Sequence, residues 1–131
     1  MTNTIWSATL MPDFSSFAAV AEQIELMFES PKSIMNATLA CDEAFTNVVM
    51  YSGATAIDVK IFEQDDDIVV RISDNGTPFD PVKAKPIERD FEDLDQGGMG
   101  IKIIKKACSK VEYAYVDDKN TLTLHFEMPA S

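Results

Sequence analysis

Alternating apolar and polar residues predict five β-strands in this chain. In one of them Ile57, Val59 and Ile61 fall on the same face, which is the pattern of a strand with one buried side. Short polar turns over residues 64–67 and 117–119 join the later strands into two antiparallel hairpins. The predicted strands span residues 4–11, 56–63, 68–73, 111–116 and 121–128.

A second apolar period, close to that of an α-helix, predicts three helices. Phe17, Val20 and Ile24 recur at this spacing in the first of them. Ser33 is a suitable N-cap for the second helix, and Gly53 is a suitable residue to end it. The predicted helices span residues 14–29, 33–51 and 101–108.

The order of these elements predicts an α+β fold. Strands joined by short turns form a mixed, mostly antiparallel sheet, and the helices cover one face of it in a two-layer α/β sandwich. Residues 1–131 have the length of a single domain, and the long connection before the third helix predicts a lid at about residues 80–96. A Rossmann or P-loop fold is not favoured, because the glycine-rich turn at residues 97–100 does not directly follow a strand.

The net charge of −11 argues against a nucleic-acid partner and against anionic membrane surfaces. The sequence has no apolar run of about 18 residues and no basic leader, so we expect a cytoplasmic protein without membrane attachment. Cys41 and Cys108 fall at apolar helix positions, which predicts buried free thiols. His125 is expected to face solvent on a strand.

Glycines at three of the four positions 97–100 lie directly before the third helix. Such a turn lets the backbone approach a ligand, and the N–H groups at a helix N-terminus favour an anion, most often a phosphate. The alternative is a turn that only reverses the chain.

Glu43 and Asn47 are four residues apart on the second helix and therefore neighbours on one face. A carboxylate can accept a proton, and a carboxamide oxygen can bind Mg²⁺. The alternative is that both belong to the hydrated face of an ordinary surface helix.

Asp74 continues the buried face of its strand at the point where the strand ends. A carboxylate there needs hydrogen-bond donors, and the exocyclic amine of adenine would be a suitable one. Asn120 has the parity of the inward residues of the last strand and could hold Asp74. The alternative for both residues is a role in a turn.

Three segments together resemble the N box and the two glycine boxes of the GHKL ATP-binding superfamily. They are Glu43-x-x-x-Asn47, Asp74-x-Gly76 with Pro78-Phe79-Asp80, and Gly97-Gly98-x-Gly100-Ile101. The small size of the chain and the Pro-Phe-Asp-Pro sequence after the first glycine box are most similar to the anti-sigma factor serine kinases.

The resemblance implies an ATP-binding serine protein kinase that uses ATP and Mg²⁺. Its phosphoryl acceptor would be a serine on a STAS-domain anti-anti-sigma protein, and it would otherwise bind a sigma factor; a homodimer is left open. Glu43 would be the general base, and Asn47 would bind Mg²⁺ and ATP. The other residues implied in ATP binding are Asp74, Gly76, Gly98, Met99, Gly100, Ile101 and Asn120.

Two departures from the family pattern keep alternatives open. Lys119-Asn120 stands where relatives have Gly-Thr, and the lid is acidic where relatives often carry an arginine. The cations available near the phosphates are Lys83, Lys85, Arg89 and Lys102. The first alternative is therefore a non-catalytic, ATP-gated adaptor that switches partners. The second, less favoured, is a detached catalytic domain of a histidine kinase.

Overall fold

The computed structural model describes residues 2–78, 102 and 104–127. The strands are β1 (Thr2–Leu10), β2 (Ile57–Gln64), β3 (Asp67–Asp74), β4 (Lys110–Val116) and β5 (Lys119–Glu127). The helices are α1 (Phe17–Met27), preceded by a 3₁₀ turn (Phe14–Ser16), and α2 (Pro31–Asn47), followed by a π-helical turn (Val48–Ser52). Residues 102 and 104–107 are also helical.

The five strands form one sheet in the order β1-β2-β3-β5-β4. All four strand pairs in the described part of the chain are antiparallel, so the predicted mostly antiparallel sheet is confirmed and shows no parallel pair there. In the β3–β5 pair, Asp74 lies opposite Asn120. The register therefore brings these two polar residues together at one end of the sheet.

The β4–β5 hairpin turns tightly at Asp117 and Asp118. Both residues have positive φ, 53° and 62°, as two-residue hairpin turns of this type require. Val116 pairs with Lys119, so β5 begins two residues before the predicted strand. The interpretation of Asn120 as a turn residue is therefore wrong, because it lies within the strand ladder.

Helix α2 begins earlier than the sequence predicted. Its N-cap is Ser30, whose side chain accepts a hydrogen bond from the Ser33 N–H at 3.0 Å, and Pro31 is at the first helical position. Proline suits that position because its missing N–H would have no helical partner there. The prediction that Ser33 caps the helix is therefore wrong.

The core lies between one face of the sheet and the helices. Ala37, Cys41 and Phe45 on α2 pack in the core between the helices and the sheet, and Ile104 of the last helical segment joins them. This arrangement confirms the predicted two-layer α+β fold. The largest fully buried side chains are Phe45, Ile24, Ile57, Ile61, Ile72 and Leu124.

His125 points to the other face of the sheet and is only 9% exposed, so the expectation that it faces solvent is wrong. Its Nε2 lies 2.8 Å from Glu112 Oε1, and this hydrogen bond lowers the pKa of Glu112. Its strand partner Val69 is completely buried. The sequence pattern missed this burial because the residues that share its face of the strand, Thr123 and Glu127, are polar.

Neither cysteine forms a disulfide. Cys41 is buried, as predicted, and burial raises its pKa; Cys108 is half-buried, and burial raises its pKa to about 12. Both thiols are therefore protonated and unreactive near neutral pH. Among the described residues, no helix is long and apolar enough to cross a membrane.

Candidate functional site

A buried carboxylate lies at the end of β3, where the sequence predicted it. Asp74 is 3% exposed, and its Oδ1 accepts hydrogen bonds from the Gly76 N–H at 2.9 Å and from Asn120 Nδ2 at 3.0 Å. Asn120 Nδ2 also donates to the Thr77 carbonyl oxygen at 2.8 Å. The predicted contact between Asn120 and Asp74 is therefore present, and it holds the carboxylate in place at the C-terminal end of β3.

Tyr113 is a member of this cluster that the sequence reasoning missed. Its hydroxyl donates to Asn120 Oδ1 from the neighbouring edge strand β4. A signal was available, because the tight turn at Asp117-Asp118 sets the register that pairs Tyr115 with Asn120 and Tyr113 with Leu122. Tyr113 therefore lies diagonally across from Asn120 on the same face of the hairpin.

The π-helical turn after α2 brings Ser52 against Gly76. The Ser52 carbonyl oxygen accepts a hydrogen bond from the Thr77 N–H at 2.8 Å. A Cβ atom on Gly76 would lie 2.3 Å from that oxygen and 2.6 Å from Ser52 Oγ, so only glycine fits at this position. The structure thus shows a packing reason for Gly76, and its role in admitting a nucleobase stays a prediction.

Glu43 and Asn47 lie one helical turn apart at the C-terminal end of α2, and both side chains are half-buried. Burial raises the pKa of Glu43, and the neighbouring carboxylate of Asp42 raises this pKa further. A carboxylate whose charged form is disfavoured in this way is a suitable proton acceptor.

A small pocket joins the end of α2 to the ends of β3 and β5. Its volume is about 20 Å³, enough for one water molecule, so its walls have to move apart to admit a nucleobase. A larger groove of about 600 Å³ lies on the opposite face of the sheet, but none of the predicted site residues that the structure describes lines it. The small pocket is lined by Ala44, Asn47, Val48, Ser52, Ile72, Asp74, Tyr113, Asn120 and Leu122.

The structure thus brings Asn47, Asp74 and Asn120 around one pocket, with Gly76 bonded to Asp74. Glu43 is not among the residues that line it and lies one helical turn before Asn47. Lys102 is exposed on the last helical segment. The predicted lid at residues 80–96, with Lys83, Lys85 and Arg89, and the predicted phosphate-binding residues Gly98, Met99, Gly100 and Ile101 lie outside the described residues.

The described residues contain no group of three or more His, Cys, Asp or Glu side chains that could hold a metal ion. Asn47 nevertheless offers a carboxamide oxygen beside the pocket. Mg²⁺ typically takes few protein ligands and completes its shell with water and substrate phosphates. The residues present therefore fit a cation that arrives with a nucleotide better than a preformed metal site.

The fold and the site define a class of nucleotide-binding protein. The sequence profile of the histidine kinase-like ATPase domain matches residues 12–126, which is most of the chain. The chain therefore belongs to the histidine kinase-like ATPase family, which confirms the resemblance to the GHKL superfamily and implies that this domain binds ATP.

A curated relative is the serine/threonine-protein kinase BtrW of Bordetella bronchiseptica. The two proteins are 30% identical over 93 residues, and the match spans 66% of this chain and 66% of the relative. This chain therefore aligns with just under two thirds of the relative's length.

Proposed function

We propose that this protein is a serine protein kinase of the anti-sigma factor type. Its substrate in this proposal is a serine on a STAS-domain anti-anti-sigma protein, and its second partner is a sigma factor in the cytoplasm. The observation that carries the proposal is the buried Asp74 carboxylate, held by Asn120 and Gly76 beside the helix that presents Glu43 and Asn47. The name of the Bordetella relative, a serine/threonine-protein kinase, supports the same class of activity.

Each residue has one role in this proposal. Asp74 accepts a hydrogen bond from the adenine amino group, and Asn47 contributes its carboxamide oxygen to Mg²⁺. Mg²⁺ supplies charge neutralisation between the phosphates when it is bound. Glu43 accepts the proton of the attacking serine hydroxyl, which raises the nucleophilicity of its oxygen. The phosphates would be bound by backbone N–H groups of Gly98, Met99, Gly100 and Ile101.

A second candidate function is an ATP-gated adaptor that transfers no phosphate. The observation that favours it is the sequence from Glu88 to Asp95, which carries five acidic residues just before the glycine-rich turn. Acidic side chains near a γ-phosphate would not neutralise the negative charge of the transition state, so they would not support phosphoryl transfer. The presence of Glu43 at the expected position favours the kinase.

Incubation with Mg-ATP and a STAS-domain protein encoded nearby tests the proposal directly. We expect one phosphoserine on the STAS protein by mass spectrometry, together with saturable ATP binding by calorimetry. ATP binding without phosphoserine, with a cognate STAS partner shown to bind, contradicts the kinase and supports the adaptor. Absence of ATP binding contradicts both.

The pKa of Glu43 predicts a pH dependence of transfer. Glu43 has to be deprotonated to accept a proton, so the rate falls as the pH drops through its pKa. Since burial and Asp42 raise that pKa, the fall should occur at higher pH than for an ordinary glutamate. Asp42→Asn removes the second cause and should move the acidic limb of the pH–rate profile to lower pH.

Asp42→Asn is a conservative change for this measurement. Asp42 Oδ1 accepts a hydrogen bond from Thr46 Oγ1 at 3.3 Å, and an asparagine oxygen can accept the same bond. Profiles of wild type and variant at saturating Mg-ATP give the comparison. An acidic limb at the same pH in both proteins would show that another group controls the rate.

A further inference from the structure

The carboxamide of Asn120 is engaged at both ends. Its Nδ2 donates to Asp74 Oδ1 at 3.0 Å and to the Thr77 carbonyl oxygen at 2.8 Å, and its Oδ1 accepts from the Tyr113 hydroxyl. Because a carboxylate and a carbonyl group carry no proton to donate, these two acceptors fix which end of the amide is nitrogen. The opposite end is then an acceptor that needs a donor, and Tyr113 supplies it.

The Asp74 carboxylate depends on this amide for its orientation. Within the described part of the chain, both hydrogen bonds to the carboxylate end on Oδ1, one from Gly76 and one from Asn120. Oδ2 is therefore left to accept a hydrogen bond from a ligand in the pocket that Asp74, Asn120 and Tyr113 line together. The direction in which Oδ2 points is set by the donors on Oδ1.

We propose that Tyr113 is a positioning residue that sets the preference of this site for a 6-aminopurine. It acts through Asn120 on Asp74 and does not itself bond to the amino group. The inference rests on the proposed nucleotide function. It adds a third residue, on the edge strand β4, to the pair that the sequence placed at the base-binding end of the site.

Loss of the Tyr113 hydroxyl would leave a buried oxygen without this donor. Asn120 is only 5% exposed, so bulk water cannot readily replace a hydrogen bond that its side chain loses. The amide is then expected to turn towards another donor, which weakens the bond from its Nδ2 to Asp74. The Asp74 carboxylate then loses its fixed orientation. A purine that donates a hydrogen bond from its 6-position consequently loses its advantage in affinity.

The test compares two ligands that differ only at the 6-position of the purine. These are the Mg²⁺ complexes of ATP and of purine riboside triphosphate, which carries hydrogen in place of the amino group. A hydrogen bond to a charged acceptor predicts that wild type prefers ATP by about tenfold or more in affinity. Tyr113→Phe should reduce that preference to about threefold or less and leave the affinity for purine riboside triphosphate close to wild type.

Tyr115→Phe is the matched control. It deletes the same hydroxyl two residues along the same strand, opposite Asn120, from a side chain that is 44% exposed and has no hydrogen bond among the described residues. We expect it to keep the full preference for ATP. The melting temperatures of both variants without ligand show whether the fold is intact.

A double-mutant cycle shows whether Tyr113 acts through Asn120. Asn120→Leu alone should remove the preference for ATP, and Tyr113→Phe in that background should cause no further loss. A separate effect of Tyr113→Phe in the Asn120→Leu background would overturn the proposed route. So would an equal loss of affinity for both nucleotides in Tyr113→Phe, which is the result of a purely structural role.

The outcomes separate this inference from the proposed function. A wild-type protein that binds neither nucleotide contradicts the proposed function. A wild-type protein that binds ATP with a clear preference, which Tyr113→Phe then keeps, overturns only the role of Tyr113. A wild-type protein that binds both nucleotides equally also overturns the inference about Tyr113, because Asp74 then does not select the amino group.

Discussion

Replacing Glu43 with glutamine is expected to slow phosphoryl transfer by roughly 10²–10⁴-fold, which is the usual contribution of a general base. Glutamine has the same shape but cannot accept the serine proton. ATP affinity should remain close to that of wild type, because Glu43 does not line the pocket around Asp74. The measurement is the rate of phosphoserine formation on the STAS partner by mass spectrometry, with ATP binding followed in parallel by calorimetry.

Glu25→Gln is the control for this variant. Glu25 is an exposed glutamate on the neighbouring helix α1, so the same change of charge there should leave transfer unaltered. Asn47→Ala should behave differently from both and weaken Mg²⁺-dependent ATP binding together with transfer. Equal rates for wild type and Glu43→Gln would show that another group takes the proton.

Replacing Asp74 with asparagine is expected to abolish most of the thermal stabilisation by nucleotide. A ligand at 100 times its dissociation constant adds about 2.7 kcal/mol to the free energy of unfolding, roughly 10 °C for a domain of this size. In the variant, the side-chain oxygen can still accept from Gly76 and Asn120, but an NH₂ group replaces Oδ2. The asparagine NH₂ and the adenine amino group, both hydrogen-bond donors, then face each other. A roughly 100-fold loss of affinity would reduce the stabilisation by nucleotide to about 0.4 kcal/mol.

The apo protein should keep its stability in this variant, because the hydrogen bonds inside the site survive. Asp67→Asn, at the opposite end of β3, makes the same chemical change away from the pocket and should keep the full nucleotide shift. Melting curves with and without Mg-ATP give both numbers. A full shift in Asp74→Asn would remove Asp74 from the nucleotide site.

The sequence predicted those elements whose residue pattern follows from one buried face. The alternation of Ile57, Val59 and Ile61 predicted β2 to within one residue at each end. The inward parity of Asp74 correctly predicted that its side chain is buried. The helical spacing correctly predicted that Glu43 and Asn47 lie one turn apart on α2, where both are half-buried.

Other features depend on contacts between distant segments, and no local pattern contains them. The segment Val48–Ser52 was predicted as the end of a regular helix, but it forms a π-helical turn. The Ser52 carbonyl oxygen there accepts a hydrogen bond from the Thr77 N–H, a contact between segments that are distant in sequence. The burial of His125 depends on Glu112 and on strand neighbours rather than on its own alternation. Tyr113 lies beside Asn120 because of the register of the β4–β5 hairpin. The sequence predicted the turn of that hairpin one residue too long, so this register was missed.

The close approach of Gly76 to Ser52 also limits the order in which this sequence can change during evolution. A side chain at position 76 collides with a backbone carbonyl, so no substitution of Ser52 alone can make room for it. Either the turn Val48–Ser52, which follows the helix that carries Asn47, or the segment after Asp74 has to move to make room. Loss of Gly76 therefore requires a backbone change in one of the two segments that meet beside the pocket, which couples the evolution of the two halves of the site.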